Sequence, residues 1–156
     1  MKVGVMSDSH DNVPKVKRAV EFFESAGCEA LLHAGDIVAP FSLVEVAKFK
    51  GGPVYAVFGN NDGERKGLAK MADIVEGPRQ LKLGGRNFVL THERENAAGD
   101  ALREADIVIF GHNHNKEIAR GKTLWVNPGE TGGWVTGHCT IAVVDCESLS
   151  AELVEI

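Results

Sequence analysis

The chain has 156 residues, of which 44% are hydrophobic and 25% are charged, and its formal net charge is −5. This composition is ordinary for a globular protein and excludes intrinsic disorder as the main state, while the length suits a single domain over residues 1–156. The negative charge argues against a protein that binds nucleic-acid backbones over a basic face, and no run approaches the roughly 18 apolar residues of a membrane-spanning helix.

Strands and helices are predicted to alternate in the first third of the chain. The run Lys2–Ser7, rich in β-branched residues, predicts a strand, and apolar residues at helical spacing predict a helix over Pro14–Ala26. Pro14 suits the first turn of that helix, and Asn12 is its predicted N-cap. A strand, a helix and a strand follow at Ala30–Ala34, Pro40–Phe49 and Pro53–Phe58. This order is typical of right-handed parallel crossovers.

The rest of the chain predicts mainly short strands. Asp62 is expected to cap a helix over Glu64–Met71, or else to support neighbouring functional residues. Gly84-Gly85 indicates a hairpin between Gln80–Leu83 and Asn87–Leu90. A helix follows at Ala97–Glu104 and strands at Asp106–Phe110, Glu117–Ala119, Thr123–Val126, Thr140–Asp145 and Ala151–Glu155. We expect the strands from Glu117 onward to be antiparallel, so the predicted fold is an α/β layered sandwich with mixed sheets.

Polar side chains follow five of the predicted strands, at the points where the strands end. They occur in the sequences DSH at 8–10, GD at 35–36, GNND at 59–62, TH at 91–92 and GHNH at 111–114. Because sites in layered α/β folds form at the carboxyl ends of strands, we expect these segments to meet at one edge. They would bring together two carboxylates, one amide oxygen and four imidazoles. His33 is expected to be a buried or supporting residue beside them.

This set of donors indicates transition metals. Imidazole with carboxylate and amide oxygen suits Mn, Fe, Co, Ni or Zn, and the set is too rich in nitrogen for calcium or magnesium. Cys28, Cys139 and Cys146 form no CxxC pair, so neither a structural zinc site nor a full disulfide framework is predicted. Seven donors suit two ions that share a carboxylate and a water. Asp36 is the expected shared ligand, because its strand is central among the first three.

In order and spacing, the five motifs resemble those of the calcineurin-like metallophosphoesterases, and among these the small single-domain YfcE-type phosphodiesterases. The match spans positions 8–114, and NPG at 127–129 also fits. The resemblance implies an αββα sandwich of two mixed β-sheets flanked by helices. It also implies two divalent transition-metal ions, with Mn²⁺ expected and Ni²⁺, Fe, Co²⁺ or Zn²⁺ as alternatives. It assigns Asp8, His10, Asp36 and His114 to one ion, and Asp36, Asn60, His92 and His112 to the other.

The activity that the resemblance implies is the hydrolysis of phosphodiester bonds by a hydroxide that bridges the two ions. Asp36, Asn60 and His92 are then expected to be catalytic residues as well as ligands. Two ions, two aspartates and the hydroxide leave a charge of about +1, which the single negative charge of a phosphodiester neutralises. The expected partner is therefore a small phosphodiester substrate, whose identity the sequence leaves open.

Three positions depart from the family pattern. Many members have a histidine where this chain has Asn61, and an amide cannot protonate a leaving group, so substrates with good leaving groups are expected. Asn61 and Arg65 are candidates for substrate binding, although Arg65 also suits a solvated helix charge. Glu93 stands where glycine is common, and its charge would weaken the binding of anionic substrates. Glu130 stands where serine is common.

Alternative functions stay open. A phosphomonoesterase or a nuclease could have the same fold, although the acidic composition disfavours a nucleic-acid substrate. A non-catalytic scaffold is the other alternative, because a protein-binding subunit of the retromer shares this fold. The N-terminal sequence MKVGVMSDSH lacks the features of a secretory signal, so a cytoplasmic protein without a membrane partner is expected. The oligomeric state, a homo-oligomer included, is left open.

Overall fold

Strands and helices alternate along the chain, and the computed structural model describes them over residues 1–156. In chain order they are β1 (Lys2–Met6), α1 (Val13–Ser25), β2 (Ala30–His33), α2 (Pro40–Val46), β3 (Val54–Val57), α3 (Arg65–Met71), β4 (Asp73–Val75), β5 (Arg79–Leu83), β6 (Arg86–Leu90), α4 (Gly99–Glu104), β7 (Ile107–Ile109), β8 (Glu117–Arg120), β9 (Leu124–Asn127), β10 (Thr140–Asp145) and β11 (Ser150–Glu155). A turn of 3₁₀-helix at Arg94–Asn96 precedes α4. No helix combines the length and the apolar character that a membrane crossing requires.

The strands form two mixed sheets. The first has six strands in the order β11-β10-β1-β2-β3-β4, in which β1 to β4 are parallel and β10 is antiparallel to β1. The second has five strands in the order β5-β6-β7-β9-β8, in which β6, β7 and β9 are parallel. The strand β2, which leads to Asp36, lies between β1 and β3 as the sequence predicts.

The direction of β9 differs from the expectation that the later strands are antiparallel. The pairs β8–β9 and β10–β11 are antiparallel, but β9 is parallel to β7. Burial explains the difference. Leu124 and Val126 of β9 are buried, and this strand takes an interior place beside β7, whereas β8 alternates between half-buried and exposed residues and forms the sheet edge.

Three apolar clusters hold the layers together. Between the sheets, Val3 of β1 belongs to the same buried cluster as Phe88 of β6. Met6 of the same strand points to the other face of the first sheet and packs in a cluster with residues of α1 and α2. A smaller cluster joins Val89 of the second sheet to Leu102 of α4. The result is an αββα sandwich, so the predicted fold class is confirmed.

Most predicted boundaries agree with the structure to within a few residues, and three details differ. Asn12 stands at the N-cap position of α1, but its side-chain amide donates to the carbonyl of Gly132 at 2.7 Å and does not cap the helix. The helix α2 ends at Val46 and does not reach Phe49. The strand β4 was not predicted, because it has three residues, of which only Ile74 is buried.

Candidate metal centre

Loops from both sheets meet at the edge where the parallel strands end. These loops carry the seven predicted ligands: Asp8 and His10 after β1, Asp36 after β2, Asn60 after β3, His92 after β6, and His112 and His114 after β7. The seven side chains lie next to one another, because the carboxyl ends of parallel strands reach the same edge. Their binding of metal stays a prediction.

Asp8, His10 and His114 form the more buried part of the site. Oδ1 of Asp8 lies 3.9 Å from Nε2 of His10 and 3.4 Å from Nε2 of His114. One donor atom from each of the three residues lies within 4.8 Å of the others. Burial raises the pKa of the Asp8 carboxyl, and the nearby imidazoles offset this effect only in part. We call these three residues the first group.

Asn60, His92 and His112 form a second, more open group. Oδ1 of Asn60 lies 2.9 Å from Nε2 of His92 and 3.0 Å from Nδ1 of His112, and these two nitrogens are 3.3 Å apart. The Nδ1 of His92 lies 2.8 Å from the carbonyl of Ala34, to which it donates, so Nε2 of the neutral ring carries no proton. Two acceptors, Nε2 of His92 and Oδ1 of Asn60, therefore face each other, and a cation would relieve their repulsion.

Asp36 lies between the two groups. Its Oδ2 is 3.7 Å from Nε2 of His10 in the first group and 3.5 Å from Nε2 of His92 in the second. Burial works to raise the pKa of this carboxyl, but the nearby imidazole of His92 and two hydrogen bonds from Asn61 outweigh it and hold the pKa well below its usual range. Contact with Asp36 also raises the pKa of His92, against the effect of burial. Asp36 is therefore an anion that can contact both groups.

The donor atoms fit divalent transition-metal ions. Oδ1 of Asp8 and Nε2 of His10 are buried without a hydrogen-bond partner, which is costly for polar atoms inside a protein. The separations of 2.9–3.3 Å within the second group also fit, since ligands about 2.1 Å from one ion and roughly at right angles lie about 3 Å apart. Nitrogen and oxygen donors without sulfur are the ligands that such ions accept.

The ligand loops adopt backbone conformations that residues other than glycine rarely take. The angle φ is positive at five predicted ligands, with values of 40° to 70°: Asp8, His10, Asp36, His112 and His114. Conformations of this kind cost on the order of 1–3 kcal/mol each and cluster at functional sites. Surrounding hydrogen bonds must therefore hold these loops in place.

Two glycines allow the loops to approach one another. A Cβ on Gly59 would overlap Oδ1 of Asp36, and a Cβ on Gly111 would lie 2.6 Å from Oδ2 of Asp8. Each glycine directly precedes a predicted ligand. Glycine at these positions is therefore required by packing within the site.

Asp62 holds the loop of Asp36. Its carboxylate accepts the backbone N–H groups of Asp36 at 3.1 Å, Ile37 at 2.8 Å, Val38 at 2.7 Å and Gly59 at 2.7 Å. Val38 has a φ of 87°, which is unusual for a β-branched residue. The N-cap of α3 is Glu64, so the prediction that Asp62 caps this helix is wrong, and the alternative, support of the ligand loops, is correct.

His33 connects the loops that follow β1 and β2. The N–H of Gly35 donates to Nδ1 of His33 at 3.2 Å, so Nε2 carries the proton and donates to Oγ of Ser9 at 3.0 Å. His33 is fully buried, and burial lowers its pKa to about 3. It is thus a neutral, supporting histidine, as the sequence analysis expected.

Asn61 and Arg65, the predicted substrate-binding residues, both have partners within the protein. Asn61 donates to both carboxylate oxygens of Asp36. Arg65 donates to the carbonyls of Gly59 and Asp62 at 3.1 Å, pairs with Glu76, and stands 4.8 Å from the centre of the Phe58 ring. Both residues therefore stabilise the loop that carries Asn60, and their contact with a substrate stays a prediction.

A surface cavity of about 230 Å³ opens beside the second group. Asn60 and His92 form part of its wall, together with Arg65, Glu76 and Glu93. The ion pair between Arg65 and Glu76 leaves Glu93 as the carboxylate in this wall without a cationic partner. The cavity is therefore polar and carries negative charge.

Sequence reasoning assigned no site role to Glu130 or Trp134, yet both lie beside the first group. Oε1 of Glu130 is 3.5 Å from Nδ1 of His114, and the indole N–H of Trp134 donates to the carbonyl of His10 at 3.0 Å. Burial works to raise the pKa of Glu130, but hydrogen bonds from Val135–Thr136 outweigh it and lower the pKa. The sequence signals for this segment were the NPG motif directly before Glu130 and glutamate in place of the common serine at position 130.

Comparisons with known proteins give a consistent result. The calcineurin-like phosphoesterase superfamily domain matches residues 1–149. The chain is 32% identical over 157 residues to phosphodiesterase MJ0936 of Methanocaldococcus jannaschii, with 94% of each chain covered. It is 29% identical over 146 residues to phosphodiesterase YfcE of Escherichia coli K12, with 83% of this chain and 78% of that protein covered.

Solved structures extend the comparison to the fold. The structure of an archaeal phosphodiesterase matches with a TM-score of 0.88 at 29% identity and covers 100% of both chains. Vps29 of Entamoeba histolytica matches with a TM-score of 0.71 at 18% identity, over 100% of this chain and 99% of that one. The likeness to Vps29 shows the fold alone.

Proposed function

Because the chain belongs to the calcineurin-like phosphoesterase superfamily, we propose that it is a phosphodiesterase that works with two divalent transition-metal ions. The family resemblance inferred from the motifs is confirmed. The first group would hold one ion, the second group the other, and Asp36 would contact both. The proposal also assigns catalytic roles to Asp36, Asn60 and His92.

The position of Asp36 is the observation that carries the proposal. One carboxylate oxygen lies within 3.7 Å of ring nitrogens from both groups, and hydrogen bonds keep the carboxyl ionised. An oxygen in this position suits a ligand that two neighbouring ions share, as in two-metal hydrolases.

Charge explains why a phosphodiester suits the site. When bound, two such ions would lower the pKa of a water and polarise the phosphoryl oxygens, which is the chemistry that hydrolysis at phosphorus requires. Asp8 and Asp36 neutralise part of the charge of the ions, so the site stays positive and attracts an anion. His92 keeps Nε2 free for an ion because its Nδ1 donates to the carbonyl of Ala34.

The residue at position 61 limits the choice of substrate. An amide cannot donate a proton to a leaving alkoxide, and the Asn61 side chain is bound to Asp36 at 2.7 Å. General-acid help is typically worth about 10²–10⁴-fold in rate. We therefore expect substrates whose leaving groups depart without a proton from this residue.

The cavity beside the second group would receive a substituent of the diester. Its volume of about 230 Å³ suits a small group. The Glu93 carboxylate in its wall would repel a second anionic group, so uncharged or cationic substituents are favoured. A small phosphodiester is therefore preferred to a phosphomonoester, which carries more negative charge.

The alternatives have less support. A phosphomonoesterase or a nuclease would share the fold, but the relatives described above are named phosphodiesterases. A protein-binding scaffold has in its favour a likeness to Vps29 that shows the fold alone. Manganese as the natural ion, a cytoplasmic location and the oligomeric state stay predictions from the sequence.

The proposal is tested by removing and restoring metal. Metal-free protein is incubated with Mn²⁺, and bound metal is measured together with hydrolysis of bis(p-nitrophenyl) phosphate and p-nitrophenyl phosphate. We expect two ions per chain and faster hydrolysis of the diester. Asp36→Asn should lose on the order of 100-fold or more in metal affinity, whereas Asp73→Asn, an exposed partner of Arg79, should behave as the wild type. A wild-type protein that binds no transition metal and leaves the diester intact would contradict the proposal.

A further inference from the structure

A buried glutamate lies directly behind one of the predicted metal ligands. Glu130 has no exposed surface, and its Oε1 is 3.5 Å from Nδ1 of His114. The Nδ1 atom is itself buried and has no hydrogen-bond partner at normal bonding geometry, so Glu130 is the acceptor nearest to it. A carboxylate and an imidazole nitrogen are thus enclosed together, away from water.

The rest of the Glu130 carboxylate is held by the segment that follows it. Oε2 accepts the N–H of Val135 at 3.1 Å, and the N–H and hydroxyl of Thr136 at 2.9 Å each. Oε1 accepts the N–H of Val135 at 3.0 Å and faces His114. One oxygen is therefore engaged mainly by the segment, and the other is directed at the histidine.

Each nitrogen of His114 faces a carboxylate. Nε2 is 3.4 Å from Oδ1 of Asp8, within the first group, while Nδ1 faces Glu130. An imidazole binds metal through the nitrogen that carries no proton, and the partner of the other nitrogen decides which one that is. Each carboxylate favours a proton on the nitrogen that it faces, but Asp8 is itself a predicted ligand. Once an ion takes the Asp8 oxygen, Glu130 is the acceptor left for a proton of His114, on Nδ1.

We propose that Glu130 is a positioning residue that accepts a hydrogen bond from Nδ1–H of His114 and so keeps Nε2 free for an ion of the first group. This inference rests on the proposed function. Trp134 strengthens it, because the same segment also holds the carbonyl of His10. The N–H of Gly132 also donates to the carbonyl of Asp8 at 3.0 Å. The segment 130–136 thus contacts all three residues of the first group, and it has no such contact with the second group.

Glu130→Gln is the decisive substitution, because glutamine has nearly the same shape as glutamate but carries an NH₂ donor in place of one acceptor oxygen. The segment supplies three donors to Oε2, so the amide oxygen takes that place, and the NH₂ group takes the place of Oε1. An NH₂ group donates to Nδ1 of His114 and favours the opposite tautomer. The matched control is Glu155→Gln, at an exposed pair in which Glu155 is 3.0 Å from Nδ1 of His138.

The test combines two measurements on the full chain. Two-bond ¹H–¹⁵N spectra recorded with added diamagnetic Zn²⁺, at a mildly alkaline pH where imidazoles are neutral, show which nitrogen of His114 carries the proton. Calorimetric titration with Mn²⁺ gives the affinity of each ion. We expect the Nδ1–H tautomer in the wild type and the Nε2–H tautomer in Glu130→Gln. We also expect one of two binding steps to weaken about 10- to 100-fold in the variant.

Two results would overturn the inference. One is an Nε2–H tautomer of His114 in the wild type, which decides the matter even if Glu130→Gln does not fold. The other is a folded Glu130→Gln protein that binds both ions as tightly as the wild type and Glu155→Gln. A wild type that binds no ion, yet has the Nδ1–H tautomer, would instead contradict the proposed function and leave the contact between Glu130 and His114 supported.

Discussion

Asn61 binds Asp36 through two hydrogen bonds: its backbone N–H donates to Oδ1 at 2.8 Å, and its side-chain amide donates to Oδ2 at 2.7 Å. Oδ2 is also the oxygen that faces His10 and His92. The residue that replaces the family's common histidine therefore holds the carboxylate that the two groups share. Its side chain supplies a fixed hydrogen bond but no acidic proton.

Replacing Asn61 with histidine should restore an acid to this position. We expect Asn61→His to raise the hydrolysis of diesters with alkyl leaving groups by about 10²-fold or more, because these need a proton. Diesters with nitrophenyl leaving groups should change far less. The measurement is the ratio of the two rates at saturating Mn²⁺. Asn61→Ala, which loses the same bond to Asp36 without gaining an acid, is the control, and an equal ratio in both variants would contradict the argument.

Adding one methyl group at Gly59 should disrupt the site. A Cβ there would overlap Oδ1 of Asp36, so either the carboxylate or the backbone of the Asn60 loop must move. We expect Gly59→Ala to lose at least about 10-fold in Mn²⁺ affinity, because mutations that displace a metal ligand from its supporting contacts typically cost this much. Gly63→Ala is the matched control, because its Cβ meets no atom within 4 Å. Similar Mn²⁺ affinities of the two variants would show that the Gly59 contact is not required.

Burial of neutral His33 should make the stability of the metal-free protein depend on pH. Its pKa is lowered to about 3 in the folded state, whereas histidine in an unfolded chain titrates near 6.5. As pH falls between these values, the unfolded chain binds a proton that the folded chain does not. The free energy of unfolding should therefore decrease by up to about 1.4 kcal/mol for each pH unit from this group.

The test for His33 compares how steeply the free energy of unfolding falls with decreasing pH in two proteins. Urea unfolding is measured across this pH range for the wild type and for His33→Gln, both without metal. The variant should be less stable at neutral pH, because the contacts of His33 with Ser9 and Gly35 are altered, but its stability should fall less steeply with acid. Parallel curves would mean that His33 titrates normally in the folded protein.

Metal binding should stabilise the fold at neutral pH. An ion present at a hundred times its Kd adds about 2.7 kcal/mol, which corresponds to roughly 5–10 °C in Tm for a domain of this size. The gain should vanish with chelator and fade in acid, as the imidazole ligands take up protons. Differential scanning calorimetry with and without Mn²⁺ measures it. Asp36→Asn should show a smaller gain in Tm. A wild-type Tm that does not change when chelator is added would argue against a well-bound metal.

Short-range features of the sequence were enough to predict most elements and to name the residues that meet at the sheet edge. The spacing of Val16, Ala19, Val20 and Phe23 predicted the buried face of α1, and all four are buried. The five polar motifs follow the ends of strands, and the direction of the strands brings those ends together. Both predictions depend on local periodicity and on chain direction, which a sequence shows directly.

Other features depend on contacts between distant parts of the chain. The GNND motif placed Asp62 beside the site, but no local feature shows that its carboxylate binds the loop of Asp36 or that Glu130 faces His114. The same holds for β9, whose parallel pairing with β7 follows from its burial within the second sheet. The sequence by itself determined which donors the protein has and the fold class that presents them. Only the tertiary structure decided how each donor is held, because packing across both sheets sets the distances and hydrogen bonds that orient a side chain.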